Sequence, residues 1–131
     1  MGDIENEADP EIRGDLQKEV MRILWSEDPL SVEEVRQKLP RSRDSAYTTV
    51  QTVLNRLAER GLVSRDTENR AIRYRPAFSE SDQLAMTIRG TLTGASEQAR
   101  TAALANLVGD LDAEELERIR RIADDLRSTD R

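Results

Sequence analysis

At 131 residues the chain is long enough for one domain, or for one small domain and an oligomerisation segment. Aromatic residues make up 3% and charged residues 35%, so the core must come mainly from Leu, Ile, Val and Ala on amphipathic helices, which disfavours a β-sandwich. The net charge is −6, and with neither cysteine nor histidine the chain is excluded from disulfide, thiolate, zinc and imidazole chemistry.

Residues 1–11, MGDIENEADPE, are acidic and poor in large apolar groups, and read as a disordered leader whose plainest role is a solubilising tail. This acidic start is unlike the basic n-region of a signal peptide, and no apolar run reaches the ~20 residues needed to span a bilayer. The expectation is a soluble, cytoplasmic protein that does not engage a membrane.

A first helix is predicted from Asp15 to about Glu27, with Leu16, Val20, Ile23 and Leu24 on one face and Pro29 preventing its continuation. Trp25, the only tryptophan, reads as a packing residue, because a chain with so few aromatics can hardly spare one for a ligand. The second helix, Val32 to Leu39, has Ser31 as N-cap, Glu34 completing a capping box and Leu30 with Val35 as a hydrophobic staple. Pro40 stops it, and Arg41-Ser42-Arg43 turns the chain into a third helix capped by Asp44 or Ser45.

On the third helix Ala46, Val50, Val53, Leu54 and Leu57 form an apolar stripe. Thr48, Gln51, Thr52 and Asn55 lie opposite it, a short uncharged face rich in hydrogen-bonding groups where a solvated helix would carry Lys and Glu. Gly61 ends the helix as a C-cap residue. Two β-prone runs follow, Leu62–Arg65 and Ala71–Arg75, around a polar turn at 67–70. Three helices and a basic hairpin in this order give a mainly α fold, a winged helix-turn-helix.

The charge distribution agrees with that reading. Residues 41–75 carry eight basic and four acidic groups, whereas both flanking segments are acidic overall. Phosphates respond to the local field, so the surplus matters more than the net charge. Arg41 and Arg43 in the turn, with Arg65, Arg70, Arg73 and Arg75 in the wing, are the expected backbone contacts. A basic edge that merely discourages strand addition is the blander alternative for the wing. Phosphate contact is preferred because the reading helix lies beside it. Tyr74 is expected in the core.

After Pro76 three short amphipathic helices are predicted. The first runs from Ser79 to about Thr93 with Leu84, Ile88 and Leu92 in step; Ser96 caps the second, which carries Leu104 and Leu107. Asp112 caps the third, with Glu115 at N3 and Leu116, Ile119 and Leu126 on one face. Such helices bury little alone, so pairing with a second copy is expected. The predicted organisation is a leader at 1–11, a DNA-binding domain at 12–77 and a helical dimerisation domain at 78–131. Neither Glu114-Glu115 nor Asp124-Asp125 makes a catalytic pair, because adjacent helical residues point about 100° apart. No enzyme, cofactor or metal site is expected.

These segments together have a recognisable pattern. LQKEVMRILW at 16–25, SVEEVRQKL at 31–39, AYTTVQTVLNRLAERGLV at 46–63 and RAIRYRP at 70–76 resemble the penicillinase and methicillin-resistance repressors, the BlaI/MecI/CopY family. The resemblance covers roughly half the chain. It implies a winged helix followed by a helical dimerisation segment, acting as a homodimeric repressor on a pseudo-palindromic operator. It also puts Thr48, Thr52, Asn55 and Arg56 on the recognition helix, which Ser45 and Tyr47 open. Two family modes of induction do not transfer. Asn106 is followed by Leu107 rather than by phenylalanine, and there is no cysteine cluster. The inducer, or an inactivating protease, is left open. A winged-helix protein-interaction adaptor without an operator is the competing reading; its binding would lack the steep salt dependence of an operator complex.

Overall fold

A computed structural model describes residues 11–129. The leader expected over 1–11 therefore lies outside the described residues, except for Glu11. Eight regular elements larger than a 3₁₀ turn follow in order: α1 (Asp15–Ser26), α2 (Val32–Lys38), α3 (Tyr47–Glu59), β1 (Val63–Glu68), β2 (Ala71–Pro76), α4 (Glu80–Thr93), α5 (Glu97–Gly109) and α6 (Ala113–Thr129). A 3₁₀ turn, Arg41–Arg43, joins α2 to α3. The described residues form two compact units, divided between Thr91 and Leu92.

The first unit is a mainly α winged helix. Its core gathers Val20, Met21 and Leu24 from α1, Val32 and Val35 from α2, and Val50, Leu54 and Leu57 from α3. Met21, absent from the expected α1 stripe, is fully buried, while Leu16 and Ile23 are only partly so. The inward face is thus centred on Met21 and Leu24. The capping box on α2 forms as expected: Glu34 N–H donates to Ser31 Oγ at 3.2 Å, and Ser31 N–H to Glu34 Oε1 at 2.9 Å.

The start of α3 differs from expectation. Its N-cap is Ala46, with no side-chain cap. Asp44 instead closes the 3₁₀ turn through its N–H to Arg41 C=O, and Ser45 Oγ donates to Arg43 C=O at 3.0 Å. Both polar side chains lie one residue or more too early to cap a helix whose first residue is Tyr47. At the other end Gly61 has φ +77°. Its N–H reaches Ala58 C=O, and Leu62 N–H reaches Leu57 C=O at 3.0 Å, a Schellman closure with two buried leucines behind it.

That closure delivers the chain into the hairpin. β1 and β2 pair antiparallel from Val63↔Pro76 to Glu68↔Ala71, leaving a two-residue loop tighter than the expected 67–70 turn. Asn69 and Arg70 have φ of 51° and 67°, as a type I′ turn requires. At the base of the wing Leu30 and Tyr74 exchange both backbone hydrogen bonds, at 3.1 and 2.8 Å, so a single residue adds a third rung to the sheet. Tyr74 is 2% exposed, as a core residue should be. Trp25 also packs on the core, and its Nε1–H donates to Phe78 C=O at 3.0 Å.

Most of α4 belongs to the first unit. Of its residues only Gln83 is buried, and Leu84 and Ile88 are exposed. In the second unit α5 and α6 have the predicted caps: Ala99 N–H donates to Ser96 Oγ at 3.1 Å and Glu115 N–H to Asp112 Oδ1 at 2.8 Å. Neither helix buries a residue. Leu104, Leu107, Val108, Ile119, Ile122 and Leu126 are all exposed. Among the described residues no helix is long and apolar enough to cross a membrane.

One outcome follows for Gly61. An added Cβ would meet nothing within 4 Å, so Gly61→Ala carries only the left-handed backbone penalty. A loss of about 1–2 kcal/mol is expected, measured by urea unfolding.

Candidate nucleic-acid interface

The geometry of α3 separates two faces. Val50, Leu54 and Leu57 have no exposure and Val53 is partly buried, whereas Thr48, Gln51, Thr52 and Arg56 face solvent. Tyr47 is 47% exposed in the first turn. Helical period alone produces this split, because packing the stripe turns the opposite residues outward. Thr52 Oγ1 donates to Thr48 C=O at 2.8 Å, leaving its methyl and its lone pairs as the outward features. The Thr49 N–H donates to Ala46 C=O at 3.0 Å, while those of Tyr47 and Thr48 have no side-chain cap, and a helix N-terminus favours phosphate there.

Asn55, the fourth member of the expected reading face, is half-buried. Its Oδ1 accepts from Arg65 Nη1 at 2.8 Å and from the Tyr74 hydroxyl at 3.1 Å. Burial pushes the Tyr74 hydroxyl above its ordinary range, against the opposing pull of Arg65, so it stays protonated and donates. The register explains the meeting: Arg65 lies directly across from Tyr74, so both project from the same face of the hairpin.

The opposite face of the wing carries Asp66 and Glu68 together with Arg73 and Arg75. Arg75 Nη2 lies 2.6 Å from Glu68 Oε1, and the same side chain approaches Asp28 and Asp66 at 3.6 and 3.8 Å. Arg73 Nη1 lies 2.8 Å from Glu34 Oε1, the oxygen that also completes the α2 capping box. Both arginines were expected to hold phosphates; in the folded chain they hold carboxylates. Arg43 pairs with Asp15 at 2.9 Å. Arg41, Arg56 and Arg70 are exposed and make no ion pair among the described residues. The positive surplus of 41–75 is therefore offset on the wing face and available at the turn, on α3 and at the wing tip.

Sequence reasoning missed the acidic partners. Asp66 and Arg73 are registered opposite each other once the loop is two residues long. That signal was obscured by placing the turn over four residues. Among the described residues there is no cluster of His, Cys, Asp and Glu that could hold a metal.

Known proteins show which family this chain resembles. A model of the penicillinase repressor family matches residues 13–125. The transcriptional regulator BlaI of Mycobacterium tuberculosis is 40% identical over 110 residues, covering 82% of this chain and 80% of that protein. The methicillin resistance regulatory protein MecI of Staphylococcus aureus is 26% identical over 106 residues, covering 79% and 86%. Among solved structures, the monomeric form of Bacillus licheniformis BlaI in complex with the blaP half-operator is similar at 31% identity, over 55% of this chain and 90% of that one, with a TM-score of 0.47.

The Glu34 junction has a pH signature. Its carboxyl is held below the ordinary 4.5, first by the Ser31 N–H it accepts and further by Arg73. A lowered folded pKa stabilises above the unfolded value and is lost as pH falls through the folded one. Stability should therefore drop below about pH 4.5. The drop should be shallower in Glu34→Gln, compared by thermal melts across that range.

Proposed function

The chain belongs to the penicillinase repressor family and is a DNA-binding transcriptional repressor, not an enzyme, and we propose that it acts as a homodimer on a pseudo-palindromic operator. The observation that carries this reading is the exposed, uncharged polar face of α3 set opposite three fully buried residues. Each copy lays α3 in a major groove, where Thr48, Gln51, Thr52 and Asn55 meet base edges, with Ser45, Tyr47 and Arg56 at the margins. Arg41 and Arg70, which make no ion pair among the described residues, contact phosphates on either side. Arg43, Arg65, Arg73 and Arg75 act from inside the protein's own polar network, each as a support for the reading surface or as a weaker phosphate contact.

In this reading residues 12–77 bind DNA and residues 78–131 make the dimer. Support for the second part comes from α5 and α6, which bury nothing within the chain. A second copy would cover Leu84, Ile88, Leu92, Leu104, Leu107, Leu116, Ile119 and Leu126. Dimer symmetry then sets half-sites about one helical turn, or a small multiple, apart. The protein works where its DNA is, in the cytoplasm.

Selection of bound duplexes from genomic fragments, combined with sedimentation of the complex, tests the proposal. A monomer that bound a single half-site as tightly as the intact operator would refute it. Gln51→Ala or Thr52→Ala should cost about 1–3 kcal/mol and relax preference at particular base pairs. Arg70→Ala should weaken all sequences alike and flatten the salt slope by about one unit. Ile119→Ala or Leu126→Ala should cost roughly 2–5 kcal/mol of dimer stability, read from the concentration dependence of sedimentation.

A further inference from the structure

The amide of Asn55 is held in one orientation by chemistry that permits no alternative. A guanidinium only donates, so the atom 2.8 Å from Arg65 Nη1 must be the carbonyl oxygen, not the nitrogen. The hydroxyl of Tyr74, 3.1 Å from the same oxygen, occupies the second lone pair. Tyr74 cannot swing away, because its ring is buried and its backbone is tied in both directions to Leu30. The oxygen is saturated. The nitrogen, on the far side of the amide carbon, keeps both of its protons, and no acceptor among the described residues meets it.

We propose that Arg65 and Tyr74 make Asn55 a donor-only reader, which selects a base edge offering acceptors. Guanine presents O6 and N7, both acceptors, in the major groove. The usual asparagine–adenine pairing needs the amide oxygen to accept from N6 while the nitrogen donates to N7, and here that oxygen is already taken. A cytosine edge presents only its N4 donor and is rejected. Arg65 and Tyr74 are thus positioning residues: the wing fixes which base the reading helix accepts, without touching that base. This inference rests on α3 entering the groove, and its test separates the two.

The intact chain is first used to select from random duplexes, and the position altered by Asn55 variants is identified. That position should show guanine favoured over adenine by roughly 5- to 100-fold. Asn55→Asp keeps an inward oxygen for Arg65 and Tyr74 but replaces the outward donor with an acceptor, so preference should move from guanine to cytosine. Tyr74→Phe frees one lone pair and should move preference toward adenine. Melting temperatures confirm that each variant is folded, and Asn55→Asp, which gains an ion pair with Arg65, serves if Tyr74→Phe does not fold. Adenine preferred by the intact chain, guanine still preferred by Asn55→Asp, or uniform weakening on all sequences would overturn the inference while leaving operator binding standing. A folded Tyr74→Phe with unchanged preference would overturn it equally. An intact chain that selected no sequence would sink the operator reading and the inference together.

Discussion

The reciprocal backbone bonds between Leu30 and Tyr74 are the constraint on which the binding surface depends. They fix β2 against the entrance to α2, and the buried Tyr74 ring then closes the core formed by α1, α2 and α3. A two-stranded hairpin alone is marginal in water. Here it borrows a third rung and a core side chain from the helical body, and so becomes a rigid part of it. The Schellman closure at Gly61 acts on the other strand, feeding Leu62 and Val63 into the same core. Both ends of the wing are therefore anchored, and its tip is left to project.

Electrostatics divides along the same line. A count of charges along 41–75 promises a basic surface, yet much of that charge faces carboxylates. Arg73 and Arg75 meet Glu34, Glu68, Asp28 and Asp66, mostly at half-exposed sites where each pair contributes little stability. Their effect is geometric: one oxygen of Glu34 serves both the α2 cap and Arg73, linking a helix start to a strand. What remains for an anionic partner is concentrated at Arg41, Arg56 and Arg70 and at the uncapped start of α3.

Much of this was legible in the sequence, for identifiable reasons. The capping box at Ser31 and the caps at Ser96 and Asp112 are local, so residues three apart sufficed to place those helix starts. The stripe Val50–Leu54–Leu57 follows from helical period, and with it the polar face opposite. The family followed from quoted segments and is confirmed by the match over 13–125. Three features were not legible. The cap of α3 failed because Ser45 and Asp44 are engaged by the preceding 3₁₀ turn. The ion pairs of Arg73 and Arg75 depend on a register set by a loop two residues shorter than supposed. Asn55 meets Arg65 and Tyr74 across 10 and 19 residues, a contact that no local pattern encodes.

The two-residue loop at Asn69-Arg70 also limits how such a wing can vary between relatives. Side chains alternate along each strand, so inserting or deleting one residue between Val63 and Arg65 would bring the face of Ser64 and Asp66 to bear on α3 in place of Arg65. Length can change freely only at the tip, and only by matched additions to both strands. Divergence in reach is thereby separated from divergence in registration: the wing can lengthen or shorten while the junction at its base stays the same.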